Sequence, residues 1–130
     1  MKNLFLLCAI SLLFMSCFEV ERHCADFKTG EFEFNYVVDG INKTGRFIRT
    51  DSLNIDYYEG KIDSSSVRWI NDCEFILKKL NPKTNAERDA IHMKILTTNG
   101  TSSYTFEYKL AAKKPNKPQR SEKGIAYRIN

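Results

Sequence analysis

The fifteen residues SVRWINDCEFILKKL, Ser66 to Leu80, decide the fold of this chain. Val67 and Trp69 alternate with Arg68 and Ile70. Beyond the Asn71-Asp72 step, Cys73, Phe75 and Leu77 alternate with Glu74, Ile76 and Lys78. Side chains that repeat every second residue mark a strand with one buried face. The stretch therefore reads as two antiparallel strands folded over a tight turn at Asn71-Asp72, with the single tryptophan, Trp69, on the apolar face.

The same period recurs on both sides of this hairpin. From Thr29 to Val38, Phe32, Phe34, Tyr36 and Val38 point one way while Glu31, Glu33 and Asn35 point the other. Further strands are expected at Arg46 to Thr50, Leu53 to Tyr57, Lys61 to Ile70, Ile91 to Ile95, Tyr104 to Leu110 and Ile125 to Ile129. Asp39-Gly40, Glu59-Gly60 and Asn99-Gly100 supply hairpin turns. The Ser64-Ser65-Ser66 start of the fourth strand is polar, which suits a sheet edge or a mouth. Lys83 to Ala90 is the one place for a helical turn, with Asn85 as its cap. No repeat and no βαβ spacing is present, so the expected fold is all-β: an antiparallel meander of about eight short strands, an up-and-down barrel or a curled sheet.

The core expected for such a meander is aromatic: Phe32, Phe34, Tyr36, Trp69, Phe75, Phe106 and Tyr108. These side chains are bulky enough to fill a small barrel, yet barrels of about eight strands also hold ligands when the rings do not meet. The arrangement resembles the lipocalins and other calycins at the level of topology, through the Thr29-Gly30-Glu31-Phe32 start and the lone Trp. Lipocalins carry that Trp on the first strand, whereas Trp69 lies on the fourth.

The N-terminus has the order of a secretory signal. Lys2 gives the charge, Leu4 to Met15 the apolar run, and Ser16 the small residue. The run is too short to cross a bilayer, which takes about 20 apolar residues. Leu12 to Cys17, LLFMSC, resembles the lipobox of bacterial lipoproteins, with Phe14 where that family prefers Leu. The resemblance implies a signal peptide over 1-16, a lipid on Cys17, a tether over 17-28 and a single β domain over 29-130. Cys8 leaves with the signal and Cys17 takes the lipid, so Cys24 and Cys73 remain as a disulfide pair in an oxidising compartment.

Charge and chemistry narrow the function. There are 20 basic and 16 acidic residues, and loss of Lys2 lowers the net charge from +4 to +3, too little to argue for nucleic acid. His23 falls in the tether and His92 on the solvent face of its strand, and no nucleophile signature accompanies either. Cys24 and Cys73 lack the paired spacing of a zinc site. No catalytic residue, metal or cofactor is therefore expected. The basic run Lys113 to Arg120 reads as a solvated loop.

Taken whole, the chain resembles a group of small bacterial envelope lipoproteins. Some of these carry the label DNA topoisomerase IV, which a chain without a Gly-rich phosphate loop does not support. The resemblance implies a non-catalytic β-module, lipid-anchored to a membrane of the bacterial cell envelope. Its expected role is structural or protein-interacting, with lipocalin-like binding of a small apolar ligand as the alternative.

Overall fold

The structure, a computed structural model, describes residues 19–130. Eight antiparallel strands lie side by side in chain order and close into a barrel. They are β1 (Gly30–Val38), β2 (Ile41–Arg49), β3 (Leu53–Tyr58), β4 (Lys61–Asn71), β5 (Glu74–Lys79), β6 (Ile91–Asn99), β7 (Ser103–Leu110) and β8 (Ser121–Arg128). The meander is thus closed, with β1 meeting β8. Cys17 and the signal expected over 1-16 lie outside the described residues.

Two of the turns follow directly from residue type. Asp39 and Gly40 have φ of 52° and 77°, and Glu59 and Gly60 have 50° and 70°. Both central residues are left-handed, the hairpin geometry that matches strand twist. Gly60 adopts it freely, whereas Glu59 does so against its own Cβ.

The central hairpin turns one residue later than its sequence predicts. Asn71 pairs with Glu74, and the Asn71 side-chain oxygen accepts a hydrogen bond from the Cys73 N–H at 2.9 Å. The register then shifts between Trp69 and Asn71, leaving Ile70 bulged outward. Without that bulge Trp69 would pair with Ile76, and the two strands would turn their apolar residues to opposite faces. With it, Trp69 pairs with Phe75, ring centroids 4.4 Å apart.

Strand ends differ from expectation where polar residues hide the period. β2 begins at Ile41 rather than Arg46, β6 runs to Asn99 rather than Ile95, and β8 begins at Ser121 rather than Ile125. Closure gives the backbone groups of these polar segments ladder partners whatever their side chains. For the same reason the serine-rich start of β4 is no edge: it pairs with both β3 and β5, and Ser65 is buried opposite Asn54. The helical turn is a 3₁₀ segment, Ala86–Arg88. Asn85 holds the N-cap position as expected but makes no side-chain cap; the Glu87 N–H donates instead to Thr84 Oγ1 at 3.2 Å, while the Glu87 carboxylate accepts from the Lys83 and Thr84 N–H groups.

One end of the barrel is plugged. The 3₁₀ turn Cys24–Phe27, expected at the end of a tether, enters the lumen. Phe27 and Cys24 join Phe32, Phe47, Ile95, Tyr104 and Ala126 in one buried cluster. Cys24 is disulfide-bonded to Cys73, with Cα atoms 5.2 Å apart. The residues before the plug are bound as well: the Thr98 N–H donates to the Glu21 carbonyl at 2.9 Å and the His23 N–H to Thr98 Oγ1 at 2.8 Å. Arg128 at the end of β8 lies over Phe27 and Phe32 and donates to the Asp26 and Thr101 carbonyls.

Candidate ligand cavity

The opposite end is not filled. Above the plug the inward residues enclose a cavity of about 330 Å³, open at the mouth. Phe34 and Tyr36 from β1 form one wall, Phe106 and Tyr108 from β7 another, and Leu77, Ile91 and Met93 from β5 and β6 a third. Two glycines keep the lumen open. A Cβ at Gly45 would lie 2.3 Å from the Phe34 ring, and one at Gly124 2.6 Å from the Phe106 ring. Each ring therefore lies against the strand beside it instead of crossing the barrel.

The floor is polar, and it is built in three steps. Arg49 is only 3% exposed. Its guanidinium donates to Asn54 Oδ1 at 3.2 Å, to the Phe27 carbonyl at 2.9 Å and to the Tyr104 hydroxyl at 2.9 Å. It also lies 4.5 Å from the Phe75 ring centroid and 5.0 Å from that of Phe47, so its charge is held by neutral acceptors and π faces. Asn54 then donates its amide to both oxygens of Asp56, each at 3.1 Å. Asp56 lines the cavity, and burial pushes its pKa up to about 6 against the opposing pull of the Asn54 hydrogen bond and the Arg49 charge.

Nearer the rim the charges are paired. Lys79 lies 3.0 Å from Asp63 and 3.0 Å from Glu87, and the Tyr58 hydroxyl donates to Asp63 at 2.8 Å. Those hydrogen bonds, Tyr58 first, hold the Asp63 carboxyl below the usual range. Lys114 pairs with Asp89 at 2.6 Å, tying the β7–β8 loop to the neighbouring β5–β6 loop. The wall is thinnest between β1 and β8, where the ladder covers only Phe32 to Phe34 and the cavity reaches Asn35, Lys123 and Gly124.

The seven expected core aromatics divide between the two ends. Phe34, Tyr36, Phe106 and Tyr108 line the cavity. Phe32 and Phe75 are buried below it, and Trp69 packs against the plug cluster. Sequence reading missed Arg49, Asn54 and Asp56, the polar floor. Their signal is present in β3, where Leu53, Ile55 and Tyr57 look like the buried set. In the barrel Asn54 and Asp56 face in, while Ile55 pairs with Ile48 on the outside and Tyr57 lies under the Arg46 guanidinium at 4.6 Å.

His92 lies on the outer surface, its Nε2 3.0 Å from Glu74 Oε1. Among the described residues no three His, Cys, Asp or Glu side chains gather as a metal site.

Fold and site together define an eight-stranded up-and-down β-barrel, plugged at one end by a disulfide-bonded turn and open at the other over a polar-floored cavity. No protein-family model, curated protein or solved structure matches the chain.

Proposed function

We propose that the protein is a non-catalytic, lipid-anchored binding barrel of the bacterial cell envelope that holds a small, mainly apolar ligand in the open half of its lumen. The observation that carries this reading is the unfilled volume of about 330 Å³, walled by aromatic and aliphatic side chains above a few fixed polar groups. That combination is the usual make-up of a small-molecule site. A barrel kept only as a scaffold gains by closing such a space, since each unfilled volume forfeits packing energy. The Cys24–Cys73 disulfide supports an exported location, and the lipobox-like LLFMSC supports an anchor at Cys17.

Native mass spectrometry of the barrel purified from its host tests the binding reading. A reproducible added mass, lost on filling the cavity with Gly45→Leu and Gly124→Leu, is the expected result. An empty barrel that also rejects apolar probes would defeat it. Labelling with a fatty-acid analogue tests the anchor: Cys17→Ala should lose the label, and a label that persists removes Cys17 from the proposal.

A structural or protein-interacting role is the second reading, and the rim favours it. Val37, Ile41 and Ile62, at the mouth end of their strands, and Leu80, just past β5, are 64%, 62%, 68% and 49% exposed. Exposed apolar side chains at the rim are candidate contacts for a partner, as are Ile70, Tyr127 and Ile129 toward the closed end. Crosslinking from position 62 in intact envelopes should yield a discrete adduct if a partner covers the rim.

A further inference from the structure

Of the charged side chains that line the cavity, Arg49, Asp56 and Lys123, Arg49 is bonded into the floor, Lys123 lies at the thin wall between β1 and β8, and Asp56 is the one carboxylate. Lys79, Asp63 and Glu87 satisfy one another, Lys114 takes Asp89, and Glu122 accepts from the Tyr108 hydroxyl at 2.9 Å. Arg49 is sealed into the floor by three neutral acceptors. Asp56 receives only the Asn54 amide, and among the described residues no cation reaches it within ion-pair distance. Its carboxylate lies on the cavity wall with lone pairs to spare.

We propose that the ligand is a small amphiphilic amine, whose apolar or aromatic body fills the cavity and whose protonated head group pairs with Asp56. The inference rests on the binding reading above and names the ligand class for the same cavity. Phe34, Phe106 and Tyr108 line the same cavity, and a cation that settles over an aromatic ring is stabilised by it. An anionic head group fits worse. It would meet Asp56 at the floor, where Arg49 already donates to Asn54, Phe27 and Tyr104. The other lining cation, Lys123, lies on β8 at the wall beside β1 rather than at the floor.

Burial places Asp56 at about 6, so in the empty barrel at neutral pH it is ionised yet poorly solvated. An ammonium supplies the missing counter-charge. The groups that face Asp56 are Arg49 on β2, Asp63 on β4, Lys79 on β5, and Glu87 and Asp89 on the segment before β6. Of these, Asp63 is held ionised to lower pH by Tyr58 and Lys79, which leaves Asp56 as the group that titrates near pH 6. Affinity for an amine should therefore fall as pH drops through about 6 and the carboxylate is neutralised.

The experiment compares 4-phenylbutylamine, 4-phenylbutanol and 4-phenylbutanoate by calorimetry on the purified protein. The amine should bind at least about tenfold tighter than the alcohol above neutral pH, the value of one partly buried charge-assisted contact. That preference should vanish below pH 5 and in Asp56→Asn, which keeps the side-chain shape and removes the charge. Tighter binding of the butanoate, or an amine preference that survives Asp56→Asn, overturns the assignment of the head group. Alcohol binding with no amine preference overturns this inference and leaves the binding reading standing. Failure of all three to bind overturns both.

Discussion

The two halves of this barrel use the same strands for opposite ends. In the closed half, Phe27, Phe32, Phe47, Ile95 and Tyr104 meet across the axis, and even Arg49, a buried cation, has its guanidinium held by three acceptors. In the open half, Phe34 and Phe106 lie against Gly45 and Gly124 instead of meeting, and Asp56 is left with an amide for company. Stability is concentrated where packing and covalent linkage coincide, and the open half spends some of it on empty space and a desolvated charge. Substitutions in the two halves should therefore behave differently.

The largest effect is expected at Arg49. Arg49→Ala removes three charge-assisted hydrogen bonds and leaves a hole among four aromatic rings, so unfolding free energy should drop by about 4 kcal/mol or more. Urea denaturation followed by Trp69 fluorescence would measure it. A loss under about 1 kcal/mol would mean that the closed half is not the stable half.

Next comes the disulfide, which joins residues 49 apart. Cys24→Ser with Cys73→Ser should cost about 3 kcal/mol, chiefly through the freer unfolded chain. Free thiols at both positions in protein taken from the envelope would break the argument for the plug.

Asp56 should act in the other direction. Its folded pKa of about 6 exceeds the unfolded 3.8, so ionised Asp56 destabilises the fold above pH 6, and the penalty fades as pH falls toward 4. Asp56→Asn should accordingly raise stability by about 3 kcal/mol at alkaline pH and by almost nothing at pH 4. A pH-independent change would show that Asp56 is better solvated than its surroundings imply.

The smallest effect is expected at the mouth. Lys113→Gln, Lys114→Gln and Lys117→Gln together should shift the thermal midpoint by little, since the one ion pair lost, Lys114 with Asp89, is exposed and worth about 1 kcal/mol or less. A large drop would show that the β7–β8 loop is part of the packed structure.

The aromatic strands of both halves were legible in the sequence, and the plug and the polar floor were not. Alternating Phe32, Phe34 and Tyr36, and the Trp69 hairpin, give strands and an aromatic core because apolar periodicity reports burial directly. Phe27 escaped that logic because a 3₁₀ turn of four residues has no period to detect. Asn54 and Asp56 escaped it more instructively. Periodicity assigns the apolar set inward, so β3, with Ile55 out and Asp56 in, reads backwards. Such an inversion is where a strand answers to a ligand or a buried network rather than to the core. The Asn71 turn was placed one residue early because a bulge is invisible to a count by twos.

The closed end also decides how the molecule can be held. β1 starts and β8 finishes there, and the last residue, Asn130, is hydrogen-bonded to Glu31 beside the plug, while residues 21–23 approach along β6 at the same end. Residues 21–23 and Asn130 thus both lie at the base of the cup. A lipid, a tag or a surface coupled through either one would stand the barrel upright, with its mouth turned outward and its rim free to meet whatever diffuses past.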